Sequence, residues 1–139
     1  MTSQDAEHLR LLALFHYGVA GLQLLFALFP LIHFVVGAAM VFFPDKAAET
    51  KDGTPALIGM AFMGFAAVWI AVGLTVAVCT ALAGRNLSRR RRYHFCIAVA
   101  AIETIACVPF GTILGVLTII VLLRPAVKQE FEVAASPAF

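Results

Sequence analysis

Long apolar runs alternate with short polar stretches along this chain. The first, Leu11 to Phe43, is thirty-three residues without a Lys, Arg, Asp or Glu. Fully helical, it would extend ~50 Å, against a hydrocarbon core of ~30 Å. Its approach, Leu9 to Tyr17, mixes apolar with polar and aromatic side chains. It reads as an interfacial lead-in with His16 and Tyr17 near the headgroups, followed by a span over 17–43. Pro30 lies inside that span and is expected to kink it. A polar loop, 44–55, carries Pro44, Gly53 and Pro55. The second span, 56–84, is uninterrupted. After an arginine-rich stretch, 85–92, the run from Tyr93 to Leu123 is again too long for one crossing. Its middle reads Val108-Pro109-Phe110-Gly111-Thr112, and proline followed by glycine two positions on signals a turn. The pattern predicts two short helices, 93–108 and 111–124, in a hairpin, with one long kinked helix as the competitor. The tail, 125–139, is short and mixed, and is expected to be partly disordered.

Composition fixes the solvent for these elements. Of 139 residues, 62% are hydrophobic and 13% charged, with a mean hydropathy of +0.95. A soluble domain is ~45–50% apolar and ~25% charged, and a chain this short lacks the interior to hide the excess. Disordered chains are polar and highly charged, so disorder is excluded too. The expectation is an all-α integral membrane protein with the lipid bilayer as its solvent.

Charge then arbitrates the number of crossings. Arg85, Arg89, Arg90, Arg91 and Arg92 lie within eight positions, between apolar segments, where clustered arginine marks the cytoplasmic side. That placement disfavours a nucleic-acid patch. Four spans with a cytoplasmic start put eight basic residues inside and two, Lys46 and Lys51, outside. Three long kinked helices give six against four. Five, with both Pro30 and Pro109 as hairpin turns, give seven against three. Four spans with both termini cytoplasmic fit the positive-inside rule best, although the last helix is short. The arginines can also touch anionic headgroups, each worth ~1 kcal/mol near the surface. A cleaved signal peptide is not expected, because the apolar run is too long and no basic start precedes it.

The stretch Val108-Pro109-Phe110-Gly111-Thr112-Ile113-Leu114-Gly115, running on through Val121-Leu122-Leu123 to Phe131, resembles the C-terminal element of small uncharacterised bacterial multi-pass membrane proteins. There a Pro-x-Gly-Thr-x-Leu-Gly turn joins two apolar helices before a short tail ending in phenylalanine. Phe29-Pro30-Leu31-Ile32-His33 is similar to a segment of such proteins. The resemblance covers about a third of the chain and implies a bacterial inner membrane. It implies no reaction, ligand or catalytic residue.

Few polar groups enter the spans. Glu103 is the only acid, ~15 Å deep if counted from Tyr93, and an intramembrane carboxylate is by default a functional hypothesis. In the four-span arrangement His33 lies at a similar depth, so Glu103 and His33 could pair. Such a pair either handles protons or ions, with Thr104, Thr112 and Gln23 extending the network, or simply fastens helices. Burial disfavours the charged form of each, so both can be neutral. Gly73, Ala77 and Ala81 in the second span and Gly111 and Gly115 in the hairpin have the spacing that lets helix backbones approach, although small residues are also simply common in such helices. A weak internal echo sets His16-Tyr17, Gln23, Pro30, His33 and Gly37 beside His94-Phe95, Glu103, Pro109, Thr112 and Gly115. A true inverted repeat is a transporter device; shared composition is the plainer explanation.

Other chemistry finds no footing. Cys79, Cys96 and Cys107 show no Cys-x-x-Cys spacing, so neither a disulfide framework nor a metal site is expected. Of the four histidines only His33 is placed in the core, which leaves haem without two ligands, and no cofactor is expected. There is no Gly-x-Ser-x-Gly elbow, phosphate-binding loop or His-Glu-x-x-His. The sequence therefore suggests a small non-enzymatic membrane protein acting by helix packing, as a homo-oligomer or in a larger membrane complex. The alternative is an oligomeric proton or ion channel, or coupled transporter, using Glu103 and His33.

Overall fold

A computed structural model describes residues 3–43, 54–106 and 109–135, and these are all-helical. The elements are α1 (Ser3–Leu28), α2 (Leu31–Phe42), α3 (Thr54–Ser88), α4 (Tyr93–Ala106), α5 (Phe110–Leu122) and α6 (Pro125–Ala135). Most of the polar loop (44–53), Cys107 with Val108 at the hairpin turn, and the end of the tail lie outside the described residues.

Pro30 interrupts the ladder for only two residues. It sits in the helical region (φ −68°, ψ −3°), and the Phe34 N–H reaches its carbonyl at 3.0 Å. Gln4–Phe42 thus reads as one rod of 39 residues, long and apolar enough to cross a bilayer. Pro30 is a kink and not a hairpin turn, which removes the five-span variant. Ala56–Ser88 is the second rod long and apolar enough to cross a bilayer. The helices α4 and α5, with 14 and 13 residues, reach only ~21 and ~20 Å. A third crossing arises only if α5 and α6 count together, and they meet at 79°. The structure therefore has two or three helices of crossing length, and α4 and α5 fall short of the full spans expected. Two further expectations change. The lead-in Leu9–Tyr17 lies within α1, and the tail is helical from Pro125 to Ala135, its end lying outside the described residues.

The chain forms two compact units, Met1–Leu22 with Ala77–Phe139, and Gln23–Val76. In the first, buried positions recur every seven residues: Leu9 and His16, Ala13 and Ala20 on α1; Thr80 and Leu87, Ala77 and Gly84 on α3; Cys96 and Glu103 on α4; Gly111 and Thr118, Leu114 and Val121 on α5. That recurrence keeps one stripe of each helix turned inward. The outward positions are apolar instead of polar, as with Phe15, Leu14 (67% exposed) and Ile105 (84%), the reverse of a water-soluble surface.

Small residues set the closest approaches. A Cβ on Gly84 would meet the Ala13 carbonyl and the His16 Cβ, each at 3.0 Å, so glycine is what lets α1 lie on α3. Gly115 is pressed against the Ala100 carbonyl and the Thr104 hydroxyl. The hairpin is antiparallel. Near its tip the Thr112 hydroxyl donates to the Thr104 carbonyl (2.9 Å), and at its base the Tyr93 hydroxyl donates to the Leu122 carbonyl (2.9 Å). In the second unit Gly37 and Gly59 face one another, and Gly73 faces Ala27.

The base of the hairpin is polar. Helix α3 continues through Arg85 to Ser88 and ends with Arg90 left-handed (φ 51°). The Arg91 N–H bonds to the Asn86 carbonyl (3.0 Å) and the Arg90 N–H to that of Leu87 (3.2 Å). This is a Schellman cap with arginine where glycine usually stands. Arg92 is left-handed too (φ 55°). Helix α6 docks there by buried Val127 and Phe131, with Phe131 edge-on to Tyr93. Ion pairs join Arg90 to Glu130 (2.9 Å) and Arg124 to Asp5 (3.2 Å).

Candidate functional site

The heptad row Leu9–His16 carries an imidazole into the first unit, and the row Cys96–Glu103 carries a carboxyl to meet it. Both side chains are 0% exposed, and His16 Nε2 stands 3.7 Å from Glu103 Oε2. His16 Nδ1 lies 2.8 Å from the Leu12 carbonyl one turn back. A carbonyl can only accept, so Nδ1 carries a proton and Nε2 is the nitrogen left for the acid. At 3.7 Å the two groups are in electrostatic contact but beyond hydrogen-bonding distance. Nε2 and both carboxyl oxygens make no hydrogen bond. Thr118, fully buried in the same unit, also has an unbonded hydroxyl.

The sequence places His16 near the headgroups and pairs Glu103 with His33. The structure gives Glu103 the other histidine. His33 belongs to the second unit, half-buried, with the rings of Phe29 and Phe62 at 6.2 and 6.0 Å. Thr104 and Thr112 do not extend the network, because their hydroxyls donate to the Ala100 and Thr104 carbonyls. Gln23 is buried in the second unit. The echo between the chain's two ends is not matched in backbone: α1 and α2 run on past Pro30, whereas α4 and α5 fold back at Pro109.

The chain matches no family model, no curated protein and no solved structure.

Chemistry alone then defines the site. A carboxyl and an imidazole can hold one proton between them in either of two places, and the pair stays neutral overall in both. That is the arrangement hydrocarbon tolerates. Among the described residues no three His, Cys, Asp or Glu side chains are grouped to hold a metal ion.

The small-residue positions divide. Gly73 and Gly115 are occupied within the chain, Gly111 and Ala77 are buried, and Ala81 is half-buried. Gly18, Gly21 and Gly64, which the sequence stripes do not include, face open space, with nothing within 4 Å of where a Cβ would stand. Of the arginines, Arg85, Arg89, Arg91 and Arg92 are exposed, and Arg90 is half-buried against Glu130.

Proposed function

We propose that this chain is a small non-enzymatic multi-pass protein of a bacterial inner membrane, working by helix packing as a subunit of a homo-oligomer or larger membrane assembly. The observation that carries the proposal is the set of open glycines. Helices associate in lipid where small residues admit a second backbone, and Gly18, Gly21 and Gly64 are uncovered among exposed apolar neighbours. The resemblance of the Pro109 turn to bacterial membrane proteins supports the compartment.

In the topology that follows, the α1–α2 rod and α3 cross the membrane and both termini are cytoplasmic. The α4–α5 hairpin enters from the arginine side, whether as two thin-membrane crossings completing four spans or as a re-entrant loop. Basic residues divide eight inside and two outside in both cases, so helix length favours the re-entrant form. Measuring particle mass in lipid nanodiscs tests the assembly. Oligomers that Gly64→Leu breaks into monomers uphold it, and a wild type that stays monomeric and partnerless removes it.

A second reading, an oligomeric proton or ion channel or coupled transporter, is favoured by the His16–Glu103 pair and its unbonded atoms. Proteoliposomes under a pH gradient decide it. Flux in the wild type that vanishes in Glu103→Gln at matched protein content supports conduction. No flux under either polarity leaves the pair as a link between α1 and α4.

A further inference from the structure

On the outer face of the first unit, a groove of about 380 Å³ runs along α1 beside the end of α3. Glu7, Arg10, Leu14 and Tyr17 form one stripe of α1 along it, and Ser88 closes the far wall. The groove is amphiphilic. Glu7 and Arg10 stand at its polar end, and exposed Leu11 and Leu14 line the way toward Tyr17.

The charges at this end are not alike. Asp5 is engaged by Arg124, Glu130 by Arg90 and Glu132 by Lys128. Among the described residues, Glu7 and Arg10 have no ion pair or hydrogen bond from side chain to side chain. Ser88 donates its hydroxyl proton to the Gly84 carbonyl (3.1 Å), which leaves its oxygen as an acceptor facing the groove. Leu11 is shared with a second groove of about 360 Å³ between α1 and α5, lined by apolar side chains including Phe15 and Leu114.

We propose that this groove binds a phospholipid with a phosphoethanolamine headgroup. Arg10 takes the phosphate. Glu7, one helical turn away at ~5–6 Å between Cβ atoms, accepts from the ammonium, with Ser88 Oγ as a second acceptor. The acyl chains lie along Leu11 and Leu14 and in the apolar groove that Leu11 adjoins. One cation and one acid side by side match a zwitterion. The glycerol headgroup of phosphatidylglycerol offers Glu7 only neutral hydroxyl donors and no cation, and a trimethylammonium group has no proton to donate. The inference rests on the bilayer placement proposed for the chain, which is read separately as retention in membranes after an alkaline carbonate wash.

The test is native mass spectrometry of the full chain in detergent with equal amounts of phosphatidylethanolamine, phosphatidylcholine and phosphatidylglycerol. Losing one charge-assisted hydrogen bond corresponds to roughly tenfold in affinity, so the wild type retains phosphatidylethanolamine about tenfold over the choline lipid. Glu7→Gln abolishes that preference, Arg10→Gln weakens all three lipids, and Lys128→Gln, at an exposed lysine outside the groove and outside the arginine cluster, changes nothing. A wild type that prefers phosphatidylglycerol, or a Glu7→Gln variant that keeps the ethanolamine preference, overturns the proposal. So does a Lys128→Gln variant that loses as much as Arg10→Gln.

Discussion

The His16–Glu103 contact makes an asymmetric prediction for a double-mutant cycle with leucine at each position. Glu103→Leu leaves His16 with its Leu12 bond at 2.8 Å and a single unbonded atom, Nε2, which has no hydrogen bond in the wild type either. Its expected loss is below ~1 kcal/mol. His16→Leu leaves a buried carboxyl with both oxygens unbonded and removes the imidazole 3.7 Å away. An orphaned buried polar group costs ~1–3 kcal/mol, and a broken ionised pair ~3–5 kcal/mol, so about 2–3 kcal/mol is expected. The double variant replaces both groups with hydrocarbon and returns close to wild type, giving a coupling of about 3 kcal/mol. Unfolding by SDS titration in mixed micelles, followed by far-UV circular dichroism, reads all four proteins. Equal single losses that sum in the double variant would refute the reasoning, since the two groups would then act independently.

Four further outcomes follow from the same contacts. Gly115→Ala drives a methyl into Ala100 and Thr104 and costs ~1–3 kcal/mol by overpacking, whereas Gly64→Ala, in open space within a single chain, gains the monomer up to ~1 kcal/mol of helix propensity; the same titration on monomeric protein orders them. Arg92→Gly relieves a left-handed arginine (φ 55°) and stabilises by ~1 kcal/mol, while Arg90→Gly gives back part of that gain with the Glu130 ion pair, worth below ~1 kcal/mol. Tyr93→Phe deletes the bond to the Leu122 carbonyl and loses ~1 kcal/mol at the hairpin base, seen as faster amide exchange along α5. Phe110→Cys in an otherwise cysteine-free chain should resist a membrane-impermeant maleimide from both sides if the hairpin tip stays in hydrocarbon, and labelling from outside would establish full crossings.

Apolar run length makes the α1–α2 rod and α3 legible in the sequence, and Pro109-x-Gly111 locates the fold-back between α4 and α5. The helical tail is not legible, because α6 is held by its docking, through Phe131 on Tyr93 and Glu130 on Arg90, and not by its own composition. The pair escapes for a similar reason. Depth counted along each run matches His33 to Glu103, but rotation about the helix axis decides which side chains meet. A signal for that rotation is present. Leu9, His16 and Gln23, and beside them Ala13, Ala20 and Ala27, recur every seven residues along α1, and all six are buried. What no periodicity contains is the opposing surface: His16 is enclosed because Gly84 admits α1 and because α4 brings an acid to the same place.

The link between His16 and Glu103 also has a duration. Eighty-seven residues separate the two in sequence, and at ~5–20 residues per second a ribosome needs about 4–17 s to bridge them. For that interval the first helix carries its imidazole without the acid that later faces it. Asp5 waits longer still, because Arg124 follows it by 119 residues. The bond from Nδ1 to the Leu12 carbonyl lies within the first helix, so it forms before the hairpin is made and leaves only Nε2 waiting for the acid.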